Sequence, residues 1–232
     1  MDQIHQMIQF GLTHQEARLY IALYGMGETT GYELAKRTGI SRSNCYAGLA
    51  SLVEKGAAWL ADGKPLRYQA VPVGEFCGNV VRGLCATQLL LEQELREPRE
   101  DASSYLTIQG ERNIQDKIET LILQTRAHIY LSMPNRSLRP FLRTLEQAVR
   151  QGRKVVVITD SAIALEGAAV YQSPERSSSI RVISDTQSAL TGSLTGPGCS
   201  CLFSREQNLV SLLRDSIRNE LRIIEITGGA NR

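Results

Sequence analysis

Between Ser41 and Ala47 the chain sets a guanidinium, a hydroxyl, a carboxamide and a phenol close together, on Arg42, Ser43, Asn44 and Tyr46. Two of these groups bond in pairs. The fork of Arg42 matches the two acceptors on a guanine edge, and the carboxamide of Asn44 matches the donor and acceptor of adenine. Ala47 belongs to the same side and is small enough to let a duplex come close. A phosphate contact for Arg42 and a partly core role for Tyr46 are the alternatives. Further on, Lys64 and Arg67 carry charge suited to sequence-independent phosphate contacts.

Groups of this kind read an edge only when a projecting helix holds them, and the flanking sequence predicts one. A short helix with Leu34 and Ala35 apolar runs into Thr38-Gly39-Ile40, where Gly39 suits the left-handed residue that ends a helix. Ser41 then caps a second helix. Within it Cys45, Leu49, Leu52 and Val53 form one apolar stripe. Ser43, Asn44, Ala47, Ala50 and Ser51 make the opposite, shallow face. Helix, tight turn and second helix is the pattern of helix-turn-helix readers. Gly56 ends the second helix, and Asp62-Gly63 predicts a two-residue hairpin with Trp59, Leu66, Tyr68 and Ala70 inward. The whole is a winged helix. Upstream, a short helix over 4–10 stops at Gly11. Thr13 and Glu16 then form a capping box for a helix reaching about Tyr24, with Ala17, Tyr20, Ile21, Leu23 and Tyr24 apolar. Residues 1–72 therefore read as a DNA-binding domain.

Residues 73–98 predict a long linking helix, stopped by Pro98. Its Cys77, Val81, Leu84, Gln88, Leu91 and Leu95 follow a 4-3-4-3-4 spacing, the seam of a coiled coil. Val81, Leu84, Gln88, Leu91 and Leu95 are thus the expected dimer interface. A helix packed on its own domain is the alternative. Residues 99–104 read as a polar linker.

Residues 103–232 alternate strands and helices, which predicts an α/β layered domain. Strands are expected over 105–108, 128–133, 154–159, 180–183, 189–194 and 199–203. Helices are expected over 113–124 and 138–151, with a last one carrying Leu209, Leu213, Ile217, Leu221 and Ile224 on one side. Lys154 to Thr159 is almost continuously apolar, as in a strand covered on both faces.

Other chemistry finds little support. The three histidines, His5, His14 and His128, lack metal-ligand spacing with cysteines or acids, so no metal and no cofactor are expected. Cys199-Ser200-Cys201 would put both thiols on one strand face, most simply in a core. Five cysteines, an odd number among apolar neighbours, fit free thiols in a reducing, cytoplasmic setting. Gly192, Gly196 and Gly198 have the wrong spacing for a phosphate loop, and no Gly-x-Ser-x-Gly elbow occurs. No apolar run approaches the roughly 20 residues of a membrane span. Net charge is +2 in all and +1 over residues 1–72, so the DNA-binding case rests on placement rather than bulk charge.

From about Phe10 to Val73 the chain resembles the TrmB-like family of transcriptional regulators. The matching residues include Gly11-Leu12-Thr13, Glu16 to Tyr20, Ala35 to Ser43, Tyr46, Glu54-Lys55-Gly56, Gly63-Lys64-Pro65 and Tyr68 to Pro72. Ile108-x-Gly110-x-x-Asn113-Ile114, Ile129 to Pro134 and Gln151 to Val155 resemble the start of the family's C-terminal domain. The resemblance implies a winged helix, a dimerising helix and an effector-sensing domain similar to one half of the phospholipase D fold. Phospholipase D enzymes use a His-x-Lys-x-x-x-x-Asp motif. Here Tyr130 stands where the lysine would follow His128, and 186–203 hold neither His nor Lys. No catalytic residue is assigned, and an enzyme is not expected.

The expected class is α+β in two domains: a homodimeric, sequence-specific regulator that binds double-stranded DNA without entering a membrane. The family resemblance adds a small-molecule effector, sugar-like by that resemblance alone. Its binding residues are unassigned, although the serines and threonines of 184–195 suit a polar pocket or a surface loop equally. An architectural DNA-binding protein without effector is the alternative function, and a protein-interaction module is the third.

Overall fold

Side-chain caps set where the early helices begin in a computed structural model, which describes residues 2–61, 63–95, 105–173 and 179–227. After α1 (Gln3–Gln9), α2 (His14–Met26) opens at Thr13, whose Oγ1 accepts the Glu16 N–H at 3.2 Å. The Glu16 carboxylate accepts the Thr13 N–H in return, at 2.7 Å. A second capping box, Thr30 with Glu33, opens α3 (Gly31–Thr38). Gly39 closes α3 at φ 71°, and Ser41 Oγ caps α4 (Arg42–Glu54) by accepting the Asn44 N–H at 3.4 Å. Strands β1 (Thr29–Thr30), β2 (Ala58–Ala61) and β3 (Arg67–Ala70) form an antiparallel sheet in the order β1-β3-β2. With α2, α3 and α4 they make a winged helix around buried Leu19, Leu23, Leu34, Cys45, Leu49 and Leu52.

The wing departs from expectation in two ways. Ala61 pairs with Arg67, so 62–66 connect the strands and the two-residue turn does not form. Pro65 has no N–H to give a ladder, which keeps this stretch out of the sheet. Asp62 itself lies outside the described residues. Trp59 and Leu66 are exposed rather than inward. Trp59 stands opposite Gln69, whereas Ala58 opposes Ala70 and Leu60 opposes Tyr68, so the inward phase falls on Ala58, Tyr68 and Ala70. In α2 the buried stripe takes in Leu19, while Tyr24 is exposed.

Helix α5 (Val73–Glu94) seats Phe76 in the first core, with Cys77 and Val80 half-buried beside it. From Val81 onward Leu84, Gln88, Leu91 and Leu95 are exposed within this chain. The expected stop at Pro98 and the polar linker 99–104 lie outside the described residues. The chain divides into two compact units, Met1–Glu97 and Pro98–Arg232.

The second unit is a seven-stranded sheet between helices. Its order is β4 (Tyr105–Gln109), β10 (Ser200–Ser204), β9 (Ser188–Ser193), β8 (Ser179–Ser184), β5 (His128–Ser132), β6 (Lys154–Thr159) and β7 (Ala169–Gln172). Strands β5, β6 and β7 run parallel, and the remaining neighbours pair antiparallel. Alternation along the strands separates the two faces. Ile129, Leu131, Val155 and Val157 face one core, where α6 (Glu111–Gln124) contributes Ile114, Ile118, Leu121 and Ile122, and α8 (Leu142–Arg150) contributes Leu145 and Ala148. Ile158, Ile183 and Ala189 face the other, under Val210, Leu213, Ile217 and Ile224 of α9 (Gln207–Thr227). Cys201 is buried in the first of these cores and Cys199 packs partly against it.

The single helix expected over 138–151 is broken. It forms α7 (Asn135–Leu138), a 3₁₀ turn Arg139–Phe141, and α8. Pro140 withholds the N–H that a continuous helix needs. No described helix is long and apolar enough to cross a membrane.

Candidate nucleic-acid interface and effector unit

The placement of α4 begins with a small contact. Leu19 of α2 packs where a side chain on Gly48 would stand: a Cβ there would lie 2.4 Å from Leu19 Cδ1. That close approach, with Cys45, Leu49 and Leu52 buried, fixes which side of α4 faces away. Arg42, Ser43, Asn44, Tyr46 and Ala47 all fall on the exposed side. Gln15 Nε2 donates to the Asn44 carbonyl at 3.3 Å, and Arg18 Nη2 donates to the Thr38 carbonyl at 3.3 Å, tying α2 to both ends of the turn.

Arg42 is itself positioned. Its guanidinium lies over the Tyr32 ring, 4.4 Å from the centroid. Tyr32 is exposed and was not a candidate from the sequence, because the rest of α3 and the Gly39 turn separate it from Arg42 and no periodicity links them. Tyr46 is also exposed and lies against the start of α3, where a Cβ on Gly31 would come 2.5 Å from its ring.

In the wing, Lys64 and Arg67 are exposed. Arg67 Nη1 stands 3.6 Å from Glu28 Oε1 with both side chains about half open to solvent, a weak pairing. Thr30 pairs with Arg67 across the sheet while it caps α3, so the wing and the helix-turn-helix share a residue. Glu33, bonded first by the Thr30 N–H and then by the Thr29 and Thr30 hydroxyls, is held below the usual carboxylate range.

An ion pair with its acid buried and its lysine open to solvent holds the far end of α4. Lys55 Nζ is 2.6 Å from Glu16 Oε2 and also donates to the Gly11 carbonyl at 3.0 Å, while Ser51 donates to Glu16 Oε1 at 2.7 Å. Burial alone would raise the Glu16 carboxyl, but the bonds from Lys55, the Thr13 N–H and Ser51 outweigh it and hold the group at about 2.

In the second unit, part of the serine- and threonine-bearing stretch does reach a cleft. Ser184, Asp185, Gln187 and Ser188 line a space of about 720 Å³ together with Lys117 and Arg126. Asp185 serves the fold there. Its carboxylate accepts the N–H groups of Arg126, Ala127 and His128 at 2.7, 2.9 and 2.9 Å, and these bonds hold it low against the effect of burial. His128 Nε2 is 2.8 Å from Thr186 Oγ1 and meets the Tyr130 ring edge-on. On the other face, Arg181 bonds Ser216 at 2.7 Å and Glu220 at 2.6 Å, pinning α9 to β8.

A winged helix-turn-helix with an exposed, polar second helix, carried on a chain with an α/β layered unit, defines a helix-turn-helix protein with a separate second fold. The comparisons give the family. Residues 7–74 match the model for the sugar-specific transcriptional regulator TrmB, and residues 105–219 match that for the TrmB EBD N-terminal subdomain. The chain belongs to the TrmB-like family of transcriptional regulators.

An uncharacterized protein of Bacillus subtilis, YrhO, is 30% identical over 68% of this chain and 59% of that one. The HTH-type sugar sensing transcriptional regulator TrmBL1 of Pyrococcus furiosus is 25% identical over 69% of this chain and 48% of that one. The chain thus spans less than two thirds of the length of these relatives. Among solved structures, TrmBL2, an archaeal chromatin protein with a novel mode of DNA binding, aligns at TM-score 0.46 and 17% identity over 95% of this chain and 96% of that one. Nuc from Salmonella typhimurium, a phospholipase D family member, aligns at TM-score 0.43 and 12% identity over 51% and 94%.

Proposed function

We propose that this protein is a sequence-specific regulator that grips double-stranded DNA as a homodimer and is tuned by a small molecule held in its second unit. The observation that carries the reading is Arg42, displayed on the open side of α4 and braced over Tyr32. A braced guanidinium loses less freedom on meeting a guanine edge, so the fork is partly organised before contact. In this reading α4 enters the major groove with Arg42 and Asn44 toward base edges and Ser43, Tyr46 and Ala47 beside them. Lys64 and Arg67 hold backbone phosphate from the wing.

Two copies joined through Val81, Leu84, Gln88, Leu91 and Leu95 of α5 would present two reading helices to half-sites about 34 Å, or a multiple, apart. Family membership supports the regulator role, and the sugar-sensing relative supports an effector. An effector shifts the equilibrium only by binding the two arrangements of the dimer unequally.

The test is a titration of the purified protein against its own upstream DNA and a scrambled duplex at physiological salt, with Arg42→Ala alongside. The upstream duplex is expected to bind about a hundredfold tighter, an advantage that Arg42→Ala removes. Equal affinity for both duplexes with a steep salt slope would replace this reading with the architectural one.

A further inference from the structure

A second, smaller cavity opens between the sheet and α9, with a volume of about 240 Å³. Its floor is apolar and aromatic: Tyr130, Val156, Tyr171, Ile183, Ile217 and Leu221. Its charged groups are Lys154, Arg214 and Arg218. Among the described residues that line it there is no carboxylate and no side-chain amide. Asp215, outside the lining, forms ion pairs with two of these cations, with Oδ1 3.5 Å from Arg214 Nε and 3.6 Å from Arg218 Nη1. Both separations exceed the roughly 2.7–2.9 Å of a charge-assisted hydrogen bond. Arg214 Nε is shielded from solvent and makes no hydrogen bond among the described residues. A shielded donor whose acid neighbour stands beyond hydrogen-bond length keeps capacity for a closer anionic oxygen.

We infer that this cavity binds a small organic anion with an apolar or aromatic body, its carboxylate held by Lys154, Arg214 and Arg218 and its body against Tyr130 and Tyr171. The inference rests on the reading of the second unit as the effector-sensing part and narrows the effector class. A neutral sugar needs acceptors for its hydroxyl hydrogens, which carboxylates and amides provide. The charged groups of this lining are donors only, and its side-chain acceptors are limited to the hydroxyls of Tyr130, Tyr171 and Thr186. Pockets for small ligands combine a mostly apolar wall with a few convergent polar groups, and this one does so with a single sign of charge.

The experiment is calorimetric titration of the full chain with benzoate and, separately, with glucose. Benzoate is expected to bind saturably with a Kd of about 1 mM or tighter, and glucose to give no heat. The double variant Lys154→Gln with Arg218→Gln should weaken benzoate about tenfold or more. Both side chains are exposed, so the fold should survive. Ala169→Phe, which fills the cavity from β7 without touching its charges, should abolish binding independently. Silence from benzoate, binding of glucose in its place, or benzoate binding untouched by either change would overturn the assignment. DNA binding, measured on the same samples, separates the two readings. Protein that binds its duplex but not benzoate loses only the cavity assignment. Protein that binds benzoate but no duplex keeps the cavity and loses the regulator.

Discussion

The ammonium of Lys55 lies 2.6 Å from a carboxylate oxygen of Glu16, joining the end of α4 to the first turn of α2. The same carboxylate closes the Thr13 capping box and accepts from Ser51, so one acidic side chain fixes a helix start and a helix packing together. Glu16 is the buried member of the pair, whereas the Lys55 side chain reaches solvent, so losing the carboxylate removes its bonds and leaves the ammonium hydrated.

Glu16→Gln is therefore expected to destabilise the first unit by about 1.5–3 kcal/mol at neutral pH, the loss of its charge-assisted hydrogen bonds. The pH dependence has a definite sign. The folded carboxyl sits at about 2, below its ordinary 4.5. Its stabilising contribution is complete above 4.5, fades as pH falls through the interval down to about 2, and is gone below it. Urea unfolding followed through Trp59, the sole tryptophan, reads this unit directly. The parent is expected to lose stability as pH falls from 4.5 toward about 2, and the variant should lack that decline.

Gly48 and Gly31 look alike in sequence and should behave oppositely. An added Cβ at Gly48 meets a methyl of Leu19, which is fully buried, so Gly48→Ala must displace that side chain within a packed core or move α4 off α2. The overpacking cost of about 1–3 kcal/mol exceeds the roughly 1 kcal/mol that alanine gains in a helix. At Gly31 the obstacle is the Tyr46 ring, which is 44% exposed and free to swing outward. Gly31→Ala should leave the melting temperature nearly unchanged but weaken DNA binding, because Tyr46 sits on the presented face of α4. Paired melting curves and DNA titrations of the two variants check the contrast.

The order of elements was legible because most of its signals are local. The capping box at Thr13, the left-handed turn at Gly39 and the cap at Ser41 all depend on residues within a few positions of one another, and the structure carries all three. The apolar periodicity of α6 and α9 likewise reported which faces are buried. What escaped depends on pairing at a distance. The phase of β2 is set by its register with β3, which put Trp59 outward although its residue type suits a core. Strand β7 is short and finds its place only beside β6. At the candidate interface, the positions on α4 could be read from its periodicity. The brace from Tyr32 could not, because the α3–α4 crossing creates it.

The proposed seam on α5 makes a measurable claim about mass. Leu84, Leu91 and Leu95 are 62%, 47% and 66% exposed in one chain, and exposed apolar side chains at seam spacing suit a partner helix. Light scattering on the parent should return twice 25.7 kDa. Leu84→Glu with Leu91→Glu buries like charges across a paired seam and should return the single-chain mass. A parent that already runs at 25.7 kDa would remove α5 from the mechanism.

Tyr32 gives the sharpest test of how Arg42 works. The ring lies 4.4 Å from the guanidinium and is itself exposed, a setting in which a cation–π contact is worth about 0.5–1 kcal/mol. Tyr32→Ala should therefore weaken binding to the specific duplex by about 2- to 5-fold, with little change in affinity for a scrambled one. Tyr32→Phe keeps the ring face and should bind as the parent does. Arg42→Lys retains the charge but cannot fork, so it should fall to scrambled-duplex affinity even with Tyr32 in place. A double-mutant cycle on Tyr32→Ala and Arg42→Ala then isolates the brace, because each single change has its full effect only while the other residue is present. Additive losses would mean that Tyr32 touches DNA on its own account and that Arg42 needs no support from it.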